Sequence, residues 1–122
     1  MTREKNKFII AGAGGIGKAV GLILADKPGL DSEIYIGDVD KNQAANVAQW
    51  IIDGCSTVCH VESFEIHPSL LTDEMDYIFQ TGDIILDCLP GTEAPRMAAF
   101  ALKFGMHYVN LTEYVQETEE II

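Results

Sequence analysis

Basic residues are scarce in this chain. Lys and Arg number 8 against 19 Asp and Glu, for a net charge of −11. That balance argues against a nucleic-acid partner, whose binding is dominated by Lys and Arg meeting phosphates. It argues equally against docking on an anionic membrane surface. An anion bound here must be held largely by backbone N–H groups and a helix N-terminus. Long apolar runs are also lacking, and none approaches the ~20 residues of a membrane span. The opening "MTREKNK" carries neither the apolar h-region nor the small-residue cleavage site of a signal peptide. A soluble, cytoplasmic protein is expected. Cysteine is sparse and odd in number: Cys55, Cys59 and Cys88 make no disulfide framework. Cys55, Cys59 and His60 spell C-x3-C-H without the second ligand pair of the usual zinc pattern, so no metal site is expected.

What is present fits one globular domain over residues 1–122. The length suits a single core, and 48% hydrophobic with 22% charged residues is ordinary for a folded protein. "KFIIA" (7–11) reads as a buried strand. Ile16, Ala19, Val20, Ile23 and Leu24 then recur at helical spacing until "DKPG" (26–29). "EIYIGD" (33–38) is a second strand. Asp40 is an N-cap with Gln43 three residues on, opening a helix whose face is Ala44, Val47, Ala48 and Ile51. "VESFEI" (61–66) alternates as an edge strand does, and Leu71, Met75, Ile78 and Phe79 suggest a short helix. "DIILDCLP" (83–90) reads as a central strand ending at Pro90. Thr92 is placed to cap the next helix, Met97, Phe100, Ala101 and Phe104 are its stripe, and Gly105 is its C′ residue. "HYVNL" (107–111) is a fifth strand. His60, His67 and His107 are read as surface or strand-end residues. The alternation predicts an α/β fold, a doubly wound and mostly parallel sheet of the Rossmann type with strand order 3-2-1-4-5.

"AGAGGIGKAV" (11–20) fits two phosphate-binding patterns. Gly12, Gly17 and Lys18 match a P-loop, but that loop needs a Ser or Thr after the Lys for Mg²⁺, and Ala19 has no hydroxyl. Gly12, Gly14 and Gly17 match the G-x-G-x-x-G of a dinucleotide fold. They follow a strand and open a helix, and Asp38 ends the second strand about 20 residues beyond, as that motif requires. A carboxylate there accepts from both ribose hydroxyls of NAD and repels the 2′-phosphate of NADP. Val39, Asp40 and Lys41 follow it with no Arg. NAD is expected, with NADP less favoured.

With these glycines, "ILDCLPG" (85–91) and "GMHYVNLTE" (105–113) make the chain resemble the N-terminal NAD(P)-binding domain of the saccharopine dehydrogenase family. The resemblance covers essentially the whole chain. It implies that Gly12, Ala13, Gly14, Gly15, Ile16 and Gly17 line the pyrophosphate. Asp38 and Val39 would meet the adenosine ribose, and Cys88, Leu89 and Pro90 would form the loop beside the cofactor. Asn110, Leu111 and Thr112 would lie near the nicotinamide end. Family members often carry Asp where Asn110 stands. An amide keeps the shape and loses the charge, so no catalytic residue is assigned. The family adds a second domain that supplies most of the substrate pocket. The expectation is therefore the dinucleotide-binding part of an oxidoreductase acting on an amino-acid C–N bond, not catalytic alone. The amino-acid-type substrate would be bound only with that second domain. The oligomeric state stays open, a homodimer among the options. The alternatives are a nucleotide-sensing regulatory module of the potassium-channel or transporter type and a scaffold that has lost cofactor binding.

Overall fold

Five short strands alternate with four helices in chain order. They are β1 (Asn6–Ala11), α1 (Gly15–Ala25), β2 (Ser32–Asp38), α2 (Lys41–Gly54), β3 (His60–Glu65), α3 (Asp73–Gln80), β4 (Ile84–Asp87), α4 (Ala94–Phe104) and β5 (His107–Asn110). The structure, a computed structural model, describes residues 6–27, 30–56 and 58–111. Its strands form one sheet in the order β3-β2-β1-β4-β5. Every neighbouring pair is parallel. The expected α/β doubly wound architecture is therefore the observed one.

Side-chain alternation along each strand divides the core in two. Ile10, Ile34, Ile36, Val61 and Leu86 face α1 and α2 and pack with Val47, Ala48 and Ile51. Ile9, Phe64 and Ile85 face α3 and α4 and pack with Met75, Phe79, Met97 and Ala101. Phe79 anchors that second layer, with the rings of Phe64, Phe100 and Phe104 around it at 5.2–6.1 Å. At the far end of the sheet from the glycine loop, buried Lys7 donates from Nζ to Ile78 O (2.7 Å) and Thr81 Oγ1 (2.6 Å). It thereby ties β1 to the carboxyl end of α3, where a cation suits the helix dipole.

Four local expectations are corrected. The outward residues of α1 are apolar: Ile23 is 65% and Ile16 39% exposed, whereas its buried residues are Gly17 and Gly21. Close packing selects the glycine face, not the face with the larger side chains. Thr92 lies within a 3-10 turn, Gly91–Glu93, and caps nothing; α4 starts at Ala94 with Pro95 in its first turn. Pro95 has no N–H to be capped and its fixed φ suits the helix start. The cap of α3 is Thr72, whose Oγ1 accepts from Met75 N at 3.2 Å, so Leu71 precedes the helix. Finally, β4 ends at Asp87 rather than Pro90. Cys88 still donates to Ala11 O (2.7 Å) before the chain turns away.

Candidate dinucleotide site

The strand order reverses between β1 and β4: the chain leaves β1 toward β2 on one side of the sheet and returns from β3 to β4 on the other. In such sheets ligands bind in the crevice at that switch point. The glycine loop sits there. Gly12 N–H donates to Gly37 O (2.7 Å), which carries the β1–β2 ladder one step into the loop. Gly12 has φ +110°, and an added Cβ would stand 2.7 Å from Cys88 O. Only glycine suits that backbone and that closeness. A Cβ on Gly17 would overlap the Gly12 carbonyl oxygen, so this residue sets how near α1 approaches the strand. Above Gly14 and Gly15, by contrast, nothing lies within 4 Å of an added Cβ. Their backbone is open to a ligand.

Helix α1 begins at this opening with Gly14 as N-cap, no side-chain cap and no acid in its first turn. Its first N–H groups have no intrahelical partner, and they lie at the positive end of the helix dipole. Lys18 does not turn into the loop. Its Nζ lies 4.2 Å from the centre of the Trp50 ring on α2, so the lysine of the P-loop pattern is engaged elsewhere.

Asp38 is anchored on both oxygens. Oδ2 accepts from Ala13 N–H (2.8 Å) and Oδ1 from Asp40 N–H (2.9 Å). Asp40 in turn accepts from Asn42 N–H (3.0 Å) and Gln43 N–H (3.2 Å) as the α2 cap. The Gln43 side chain does not return to the Asp40 N–H as a capping box would; its Nε2 donates to Ala13 O at 2.8 Å. Ala13 itself is fully buried and Val39 is exposed beside Asp38. The residues singled out on the glycine loop and at the end of β2 are thus brought together.

The β4 loop is divided. Cys88 borders Gly12 through its carbonyl and Pro90 is exposed. The Leu89 side chain, only 5% exposed, belongs to the α3–α4 core and can offer the crevice only its backbone. Asn110 stands at the end of β5 opposite Asp87; its Nδ2 donates to Tyr108 OH (3.3 Å), which donates to Asp87 Oδ2 (2.7 Å). Asp87 is fully buried and also accepts from Leu89 N–H at 3.0 Å. Leu111 continues from Asn110, its N–H bonded to Asp87 O (2.8 Å), and Thr112 lies outside the described residues. Gln43 and the Asp87–Tyr108 pair were not singled out by sequence. An i, i+3 Gln after a cap was legible only as a helix signal, and Asp87 only as one residue of the run 83–90.

Burial pushes the Cys88 thiol up to about 11, with the neighbouring Asp87 charge adding to it. Reactivity belongs to the thiolate. Iodoacetamide at pH 7.5 should therefore modify Cys88 more than about a hundredfold more slowly than free cysteine, with a normal pKa of ~8.5. The rate should climb steadily as pH rises toward about 11. Peptide mapping by mass spectrometry would show it, and a rate matching free cysteine would contradict it. Among the described residues, no three His, Cys, Asp or Glu side chains gather as a metal-binding group. Nor is any helix among them long and apolar enough to cross a membrane.

Comparison with known proteins agrees with this geometry. No curated protein matches the chain. Among solved structures, the saccharopine dehydrogenase (L-Glu forming) of Saccharomyces cerevisiae is similar with a TM-score of 0.65 at 16% identity, over 86% of this chain and 21% of that one. The minor L-lactate dehydrogenase of Enterococcus mundtii gives 0.64 at 17% identity, over 90% and 38%. Quinate dehydrogenase of Corynebacterium glutamicum, solved with NAD, gives 0.55 at 21% identity, over 70% and 27%. These likenesses show the fold, and this chain spans only a minor part of each relative. Residues 8–121 match the family described as the saccharopine dehydrogenase NADP binding domain, and the chain belongs to that family of nicotinamide-dinucleotide-binding domains.

Proposed function

We propose that this chain binds NAD in preference to NADP and serves as the cofactor-binding part of an oxidoreductase acting on an amino-acid C–N bond. The observation that carries the NAD preference is the anchoring of Asp38. An ionised carboxylate offers about four acceptor positions, and two are engaged by the amides of Ala13 and Asp40. The rest suit the two hydroxyls of an adenosine ribose. A 2′-phosphate brings about −1.5 to −2 charges against that carboxylate, with Asp40 close behind. Swinging Asp38 aside would break two charge-assisted hydrogen bonds, each worth about 1.5–3 kcal/mol. The family description carries the word NADP; the residues here favour the cofactor without the phosphate.

The glycine loop fits the rest of such a ligand. Gly14 and Gly15 leave room for a pyrophosphate against the backbone, and the uncapped start of α1 supplies N–H donors without a basic side chain. Val39 offers an exposed apolar surface next to the ribose position, and Cys88 and Pro90 form the opposite rim. Asn110, held through Tyr108, is assigned to the nicotinamide end as an orienting amide. When bound, a nicotinamide dinucleotide supplies the hydride acceptor for oxidation of a substrate carbon.

Hydride transfer requires that carbon at near-attack distance, and this chain spans only 21% of the saccharopine dehydrogenase chain it resembles. The chain is therefore proposed to bind cofactor and to turn over substrate only together with a further domain. The test is to supply the complete gene product with NAD and a panel of amino acids and follow absorbance at the NADH band. Amino-acid-dependent NADH formation is expected. Nucleotide binding with no oxidation of any amino acid would contradict the enzymatic part of the proposal.

A further inference from the structure

We propose that Gln43 is a positioning residue for the pyrophosphate loop, a role that rests on the dinucleotide reading above. Ala13 is gripped at both of its backbone polar atoms. Its N–H donates to Asp38 Oδ2 (2.8 Å) and its carbonyl accepts from Gln43 Nε2 (2.8 Å). Asp38 is tied to Asp40 N–H, and Asp40 caps the turn that carries Gln43. The result is a closed ring of hydrogen bonds joining the loop after β1 to the first turn of α2. Ala13 immediately precedes Gly14 and Gly15, the two residues whose backbone is open to a ligand. The Ala13 carbonyl shares its peptide plane with the Gly14 N–H, so holding that carbonyl fixes the direction of this N–H before any anion arrives. Such preorganisation lowers the ordering cost of binding.

The residue type matters. Gln43 must donate to a carbonyl, and an amide does so without adding charge beside a site meant for a dianion. The Glu that often completes a capping box has no proton to give there when ionised. Gln43 itself is solvent-exposed on its helix, so its substitution by a residue of similar helix propensity such as Met should cost stability no more than the one hydrogen bond to Ala13. The two grips on Ala13 also divide the work. Asp38 is placed to read the ribose, whereas Gln43 touches only the loop. Loss of Gln43 should thus weaken every pyrophosphate-bearing ligand alike.

The experiment compares native chain, Gln43→Met and Gln43→Glu. Calorimetric titration with NADH and NADPH is combined with melting curves and ¹⁵N-correlated spectra of the ligand-free chain. For Gln43→Met, Kd for NADH is expected to rise about threefold to tenfold, the worth of one neutral hydrogen bond. The NADH:NADPH ratio should stay unchanged, the melting temperature should fall by no more than about 5 °C, and the Gly14 and Gly15 amide signals should move. Gln43→Glu should lose more. An NADH affinity within about twofold of native in both variants would overturn the proposal. So would a fall in melting temperature that accounts for the weaker binding, which would make Gln43 merely structural. Absence of NADH binding by the native chain would overturn the dinucleotide reading itself, and this inference with it. Native-like binding by the variants would overturn this inference alone.

Discussion

Gly17→Val is expected to destabilise the chain by about 3 kcal/mol and to abolish dinucleotide binding. The Cβ of any residue at this position would overlap the Gly12 carbonyl oxygen, and Ile10 Cγ2 lies 3.2 Å away on the other side. The neighbour in the way is backbone in the turn itself, so no side-chain rotation relieves the clash. Overpacking of this kind costs typically 1–3 kcal/mol, and a branched side chain falls at the upper end. To relieve it, α1 must lift from β1, carrying its N-terminal amides away from the loop. Urea unfolding should show a lower midpoint with an unchanged slope, and NADH fluorescence should show no enhancement. Gly14→Ala is the informative contrast. Gly14 has an extended backbone (φ −90°, ψ −163°) and empty space above it, so stability should hold within about 0.5 kcal/mol. Binding should nevertheless fall sharply, because the methyl group occupies the space assigned to the pyrophosphate. A Gly14→Ala chain that binds NADH normally would remove the ligand from this loop.

Asp38→Asn is the second large effect, and it separates the two cofactors. An amide retains one acceptor oxygen, yet both backbone donors, Ala13 N–H and Asp40 N–H, point at this side chain. One of them must face an NH₂ group or find water. Two ribose hydroxyls also lose a charged acceptor, each such bond being worth about 1.5–3 kcal/mol. NADH affinity should fall between about tenfold and a hundredfold. NADPH should be much less affected, since the charge that repels its 2′-phosphate is gone, so the ratio of the two affinities should collapse toward one. Parallel titrations of native and variant chains measure both numbers. A variant that loses NADH and NADPH equally would reduce Asp38 to a loop-holding residue.

Much of this architecture was legible because several signals agreed. Apolar runs of four to six residues alternate with helical periodicity, which allows few answers other than a parallel sheet with covered faces. The glycines gained their meaning from Asp38, whose position at the end of β2 follows from motif spacing alone. Other features depended on packing that a periodicity cannot convey. The apolar spacing of α1 pointed to Ile16 and Ile23, yet the helix lies on its Gly17 and Gly21 side, since the smallest residues permit the closest approach. Leu89 was grouped with its loop neighbours, but its side chain turns into the core while the Cys88 carbonyl borders Gly12 and Pro90 is exposed. Gln43 satisfied a helix-start pattern, and only the folded proximity of α2 to the loop reveals that its amide serves Ala13 instead. Asp87 was read only as part of the strand run 83–90; its complete burial and its bond to Tyr108 require β5 to be laid alongside. The sequence thus reports elements and their order well. It reports poorly which of two amphipathic faces wins and which side chains reach across between elements.

This acidic chain is proposed to hold a nicotinamide dinucleotide through backbone amides and to select NAD through one anchored carboxylate. Titration of the native chain with NADH and NADPH by calorimetry, at the same pH and ionic strength, tests it most directly. Saturable one-to-one binding of NADH is expected, with an affinity for NADPH at least about tenfold weaker, the consequence of a 2′-phosphate meeting Asp38. Equal or tighter binding of NADPH would contradict the assignment of Asp38, and no heat with either cofactor would contradict the assignment of the site.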